Sequence, residues 1–378
     1  MGRPGKRSFR YLLATAIARL ARRPPLVAAD LRRLRPGVIL LVRQHSQLGD
    51  MVCTTPALRA IRETWPDATI VLVTAPVNVE VVQGNPHVDQ VLTYDKRHWR
   101  RPARHAALLR RIRGLRPELA LVLTSFSVTS AAIALVSGAR WVVGPDSLPW
   151  GWDVSRHLFS LELPSQVFPD RHAVAHALAP LSSVGITTDD MAPVVIPTAQ
   201  EQARADVVMA ELDLAPGFLV LHPGAGKMQN VWPAANFAAI IRDLDAGPRQ
   251  ILVLQGPADM AVIRELVTAL GPGSAARMAP VLPMGVVAAL LTRADRFLCN
   301  DTGVMHVAGA LGVPTLALFG PTDPRLWKPP GTHVQALSSP HRSRDSRGPE
   351  FGWMENITVD EVARKWAGLP DRAVGAKD

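Results

Sequence analysis

The chain has only two cysteines, Cys53 and Cys299, and they fall in separate apolar contexts. No paired spacing suggests a thiolate metal site or a disulfide framework, so a reducing cytoplasm is the expected setting. No uninterrupted apolar run approaches the roughly 20 residues that a membrane-spanning helix needs. A secretory leader is not expected either, because Arg19, Arg22 and Arg23 interrupt the first apolar stretch and no small-residue cleavage site follows. Aromatic residues make up only 5% of the chain, which argues against stacking platforms for nucleic acid. No internal repeat or low-complexity tract is evident, and no clustered carboxylates offer a cage for a metal.

What is present begins with length: 378 residues exceed one ordinary core and imply two domains. The formal charge of +10 is unevenly placed. Residues 1–35 hold ten Lys/Arg against the single acid Asp30, and residues 96–116 hold nine and no acid. Each segment is thus +9, which leaves the rest of the chain at −8. Such an acidic body disfavours nucleic acid as a partner. Within residues 8–22, Phe9, Leu12, Leu13, Ala16, Ile17 and Leu20 recur at helical spacing between arginines, a pattern suited to an anionic membrane surface, to a solvated arm or to a helix packed on the body.

From Gly37 onward the pattern predicts alternating strands and helices. Val38–Arg43 reads as a buried parallel strand, followed by a polar loop over 44–50, a helix from Met51 to Trp65 and a strand ending at Thr74. The alternation continues to Val143, and residues 144–170, rich in proline, read as irregular. A second domain opens with a strand over Phe218–His222 and a loop over Pro223–Pro233. Doubly wound α/β sheets are expected.

One stretch concentrates chemistry. Arg296–Cys299 reads as a strand, Asn300–Asp301 as a turn, and the small-residue helix that follows is stopped by Pro314 before a strand over Thr315–Phe319. The first turn of that helix would aim backbone N–H groups and a positive dipole end at an anion. Gly303 permits close backbone approach, Thr302 offers a hydroxyl, and Asp301 and His306 flank the turn, although Asp301 could equally be a helix cap. Asp50 sits at another strand end, as a general base or a cap. Lys227, after Gly224-Ala-Gly226, offers a cation in phosphate range. His222 reads as a packed strand-end residue.

Gly49–Leu58, His222-Pro-Gly through Trp232-Pro233, Asn300–His306 and Phe319–Pro324, together with Asn85–Asp89, resemble the signature segments of glycosyltransferase family 9, the bacterial heptosyltransferases. The likeness runs over roughly residues 36–366. It implies a GT-B fold, with two Rossmann-like doubly wound domains facing a central cleft: an acceptor domain over 36–190, a nucleotide-sugar domain over 191–345, a basic arm over 1–35, and a tail over 346–378 whose helix returns to the first domain. It implies an inverting transfer of a heptose or related sugar from an ADP-sugar to a lipopolysaccharide-core or similar acceptor, an anionic lipid-linked glycan. No cofactor and no metal are expected. Asp50 would be the base. Ser46 would lie near the diphosphate, Thr302 and Gly303 would hold it, Asp301 and His306 would shape the turn, and Asp259 would reach the ribose.

The family commonly carries Lys or Arg two residues before the tryptophan of its second motif. Here that position is Asn230, and Lys227 is the substitute cation to test. Both basic segments would lie on the acceptor side, steering the acceptor and holding the protein, through residues 1–35, at the cytoplasmic face of the inner membrane. The competing readings are a sugar-nucleotide epimerase on the same fold and a degenerate membrane-surface binding protein.

Overall fold

Val38–Val42 is an unbroken apolar run ahead of Arg43, and burial on both faces is what such a run requires of a parallel strand. In the computed structural model it is the centre of a six-stranded, all-parallel sheet. The structure describes residues 23–98, 102–124, 127–146, 158–164, 171–340, 353–370 and 372. The basic helix expected over 8–22 lies outside them.

The first run of elements is α1 (Ala28–Leu31), β1 (Val38–Arg43), α2 (Leu48–Thr64), β2 (Thr69–Thr74), α3 (Pro76–Val82) and β3 (Gln90–Thr93). It continues through α4 (Pro102–Gly114), β4 (Leu119–Val122), α5 (Val128–Val136), β5 (Trp141–Pro145), β6 (Leu161–Leu163) and α6 (Ala173–Ser182). The second run starts with α7 (Ala199–Glu211), β7 (Leu219–His222), α8 (Ala234–Asp245), β8 (Ile251–Val253), α9 (Met260–Leu270) and β9 (Arg277–Met278). It ends with α10 (Met284–Leu291), β10 (Arg296–Asn300), α11 (Gly303–Ala310), β11 (Thr315–Phe319), α12 (Pro324–Trp327), β12 (Val334–Ser338) and α13 (Val359–Ala367).

The sheets run β3-β2-β1-β4-β5-β6 and β12-β11-β10-β7-β8-β9. Counted within its own run, each sheet has the order 3-2-1-4-5-6, the doubly wound order in which strand direction of travel reverses beside the first strand. The reversals fall between β1 and β4 and between β7 and β10. Ligands of such sheets gather beyond the carboxyl ends of those strands.

The described residues of Met1–Gln47 and Cys53–Met191 form one compact unit, and those of Leu48–Val52 and Ala192–Asp378 the other. Each has its own core. In the first, Leu40, Val42, Val71, Ala120 and Val142 bury one sheet face with Ile112 of α4. In the second, Leu219, Leu221, Leu298 and Leu316 pack with Trp232 and Phe237.

The tail helix departs from expectation. α13 was expected to return to the first domain, but Val362 and Trp366, one turn apart on its buried side, belong to the second unit's core. Arg296 donates to the carbonyl of Trp366 at 3.0 Å, and the Trp232 indole N–H donates to that of Ile357 at 2.9 Å. The apolar stripe of α13 is thus consumed where the β10 and α8 residues need a cover. The helix starts with the Thr358–Glu361 capping box that its sequence signals.

Candidate functional site

At the carboxyl end of β1 the loop 44–47 is held from below by buried polar side chains. Asn78, fully buried on α3, donates its amide to the His45 carbonyl at 2.6 Å and to Thr74 Oγ1 at 3.2 Å. Thr74 in turn donates to the Arg43 carbonyl at 2.9 Å, and the Gln44 backbone N–H reaches Ser130 Oγ at 3.2 Å. The backbone of this loop is therefore fixed although Ser46 and Gln47 are exposed.

The following helix begins earlier than its sequence suggests. α2 opens at Leu48 with Gln47 as cap, so Asp50 is the third helical residue and not a cap. A carboxylate in a first turn is favoured by the helix dipole. Asp50 and Ser46 share the strand-end segment that follows β1.

In the second unit three segments meet at the β7/β10 reversal. Asn300, the buried last residue of β10, donates its amide to the carbonyls of Pro223 at 2.7 Å and Gly224 at 3.3 Å. Its Oδ1 accepts the Trp232 N–H at 3.2 Å. Both ends of the 223–232 loop are thereby tied to the strand that leads into Asp301. Thr302, not Asp301, caps α11, and its hydroxyl makes no capping bond to the helix. The N–H groups of the α11 first turn and that hydroxyl therefore share one strand end.

Asp301 is held by side chains from two loops. Thr322 donates to its Oδ2 at 2.5 Å, and Asn230 Nδ2 donates to the same oxygen at 3.1 Å and to the Asp301 carbonyl at 3.4 Å. Burial raises the Asp301 pKa above its ordinary value, against the Thr322 hydrogen bond and the positive charge of Lys227. Lys227, exposed on the loop, is thus within electrostatic reach of Asp301. Asn230, the position that departs from the family pattern, is buried against Asp301. His306 lies buried on α11, its ring 6.5 Å from that of Trp327 and edge-on to it.

Asp259, the residue expected near the ribose, is tied to neighbouring protein groups. Its Oδ2 sits 3.0 Å from His222 Nε2 and accepts the Gly256 N–H at 2.6 Å, pinning the β8 loop to the end of β7. An added Cβ on Gly224 would stand 2.1 Å from Asp259 Oδ1, so only glycine lets the first loop pass. Burial alone would raise the Asp259 pKa, but the hydrogen bond and charge of His222 and the Gly256 amide lower it below its ordinary value. A lowered carboxyl pKa adds stability above the unfolded-state pKa, and that stability disappears as pH falls through the folded value. Asp259→Asn is therefore expected to melt below the wild type at pH 7, with the gap narrowing as pH falls below the ordinary carboxylate value. A gap that does not narrow on acidification below that value would rule out the ionised carboxylate as its cause.

Sequence reasoning named Asp301, Thr302, Gly303, His306 and Lys227, and these gather at one strand-end crossing. It assigned no role to Asn300, Thr322 or Asn78. The first two stand inside quoted motifs, which was the available signal. Among the described residues no group of three or more His, Cys, Asp or Glu could hold a metal, and no helix is long and apolar enough to cross a membrane.

Comparison with known proteins matches residues 106–350 to the model of glycosyltransferase family 9 (heptosyltransferase). Lipopolysaccharide heptosyltransferase 3 of Escherichia coli is 23% identical over 339 residues, covering 86% of this chain and 98% of that protein. Among solved structures, the family 9 glycosyl transferase of Veillonella parvula aligns with a TM-score of 0.73 at 20% identity, over 88% of this chain and 96% of that one. The E. coli ADP-heptose lps heptosyltransferase II aligns with a TM-score of 0.72 at 18% identity, over 88% and 98%. Two Rossmann-type sheets, the GT-B pair, and a family model spanning well over half the sequence lead to one conclusion: this chain belongs to glycosyltransferase family 9, the heptosyltransferases.

Proposed function

We propose that the chain transfers a heptose from ADP-heptose to the sugar core of a lipopolysaccharide-type acceptor, with inversion at the anomeric carbon. The acceptor oxygen attacks that carbon, the bond to the β-phosphate oxygen breaks, ADP leaves, and Asp50 takes the hydroxyl proton. The observation that carries the reading is the β7/β10 crossing, where the α11 N-terminus, the uncommitted capping hydroxyl of Thr302 and the Lys227 loop converge. Donors fixed in advance where a diphosphate gains charge are the largest source of catalysis in such transfers. Relatives called lipopolysaccharide heptosyltransferases support this donor and acceptor. Family membership sets the epimerase alternative aside.

In this reading the cation that the family places at position 230 has moved along the loop to Lys227, while Asn230 holds Asp301 as a neutral amide. Helix dipole and Lys227 then answer the leaving diphosphate without a resident metal. Ser46, Gly303 and His306 border the donor. Residues 1–35 contact anionic lipid, and the enzyme works at the cytoplasmic face of the inner membrane.

The direct test is ADP release from ADP-heptose with and without acceptor. Release that needs no acceptor, or sugar isomerisation without transfer, would overturn the reading. Lys227→Ala is expected to weaken ADP binding by about 10- to 100-fold, the worth of one charge-assisted contact, without lowering the melting temperature. Unchanged affinity by calorimetry would remove Lys227 from the diphosphate site.

A further inference from the structure

Two basic stretches far apart in sequence meet on one flank of the first unit. Arg23, where the described chain begins, donates through its guanidinium to the carbonyls of Leu135 and Ala139. Arg113, in the last turn of α4, donates its Nε to the Val136 carbonyl at 2.9 Å. All three carbonyls lie at or just beyond the C-terminus of α5, the negative end of that helix. The root of the basic arm is thereby fastened beside the arginine-rich helix.

The surface around this anchor is basic and partly apolar. α4 buries only Ile112 fully, so its opposite face presents Arg110 and Arg111 with the exposed Ala103, Ala106 and Ala107. Val136 is 44% exposed beside the anchor. Arg140, exposed, holds its guanidinium carbon 4.4 Å from the ring centre of half-buried Trp141. Of the acids that flank the basic segment in sequence, Asp95 pairs with Arg97 at 2.9 Å, and Glu118 accepts the Gly37 N–H at 3.1 Å.

We propose that this flank docks on an anionic phospholipid bilayer, with α4 lying along the surface. Its 13 residues make a rod of about 20 Å whose arginines face lipid phosphates. Val136 and the Trp141 edge meet the boundary between headgroups and acyl chains, where an amphipathic ring is favoured. A nucleic acid would use the charge but has no use for the exposed valine. The proposal deepens the membrane contact suggested above by giving it a folded surface outside the arm, and it rests on that reading for its purpose.

The test is co-sedimentation of the full chain with phosphatidylglycerol-containing vesicles and with pure phosphatidylcholine vesicles. The wild type is expected to bind only the anionic vesicles. Arg110→Ala with Arg111→Ala is expected to lower that binding by about 30-fold with the arm intact, at roughly fivefold per basic residue. Arg110→Lys with Arg111→Lys, which keeps the charge, is expected to retain it. An unchanged melting temperature accompanies both variants, since both side chains are exposed. Anionic-vesicle binding unaffected by the alanine pair overturns the proposal, as does binding of duplex RNA in place of vesicles. ADP release by the wild type from ADP-heptose in the presence of a delipidated acceptor is scored separately: its failure would remove the transferase reading and leave the vesicle result standing.

Discussion

With Asp50 replaced by Asn, ADP release in the presence of acceptor is expected to fall by about 10²–10⁴-fold, the usual contribution of a positioned general base. The substitution is close to isosteric. α2 starts at Leu48 behind the Gln47 cap, so Asp50 is not needed to begin the helix, and the charge it loses is worth about 0.3–1 kcal/mol against the helix dipole. ADP should bind the variant nearly as well as the wild type. The reason is chemical: an amide cannot accept the proton that the acceptor hydroxyl must lose, whereas the proposed grip on the nucleotide comes mainly from residues after β7 and β10. A variant that turns over at the wild-type rate would take Asp50 out of the mechanism. Loss of ADP binding in parallel with turnover would instead recast Asp50 as part of the donor site.

The parts of the fold that could be read in the sequence are those written locally. β1 and β10 are built on short apolar runs, Val38–Val42 and Phe297–Cys299, α13 begins with a capping box, and Pro314 ends the segment after α11. The parts that could not are short or depend on neighbours. β9 has two residues, and β12, Val-Gln-Ala-Leu-Ser, takes its strand form from pairing with β11. α7 is not among the elements expected from the sequence, although its Thr198–Glu201 capping box marks a helix start. The start of α2 was read three residues late because Gly49 imitates a break. At the site, residue types at strand ends could be read, but partnerships could not. Asn300 answers Pro223 and Gly224, Asn78 answers His45, and Thr322 answers Asp301 across 21 residues, distances that only the sheet order closes. The partner of α13 was also hidden, since an amphipathic stripe states that it will be covered and not by what.

Asn300→Ala should separate the architecture of the donor loop from its charge. The side chain is fully buried and serves three backbone groups: the carbonyls of Pro223 and Gly224 and the N–H of Trp232. Alanine leaves all three without this partner in a region closed to water. Each buried orphan costs about 1–3 kcal/mol, so a loss of about 3–5 kcal/mol is expected, allowing for partial relaxation of the loop. For a unit of this size, 1 kcal/mol corresponds to roughly 2–4 °C, so the melting temperature of the second unit should drop by about 10 °C. ADP affinity should fall too, because Lys227 rides on the segment that Asn300 ties at both ends. Lys227→Ala is expected to lose affinity alone, so the two variants together distinguish a loop that has lost its shape from one that has lost its cation. An Asn300→Ala protein that melts within about 2 °C of the wild type would mean that the 223–232 loop is held by other contacts, chiefly the buried Trp232 ring.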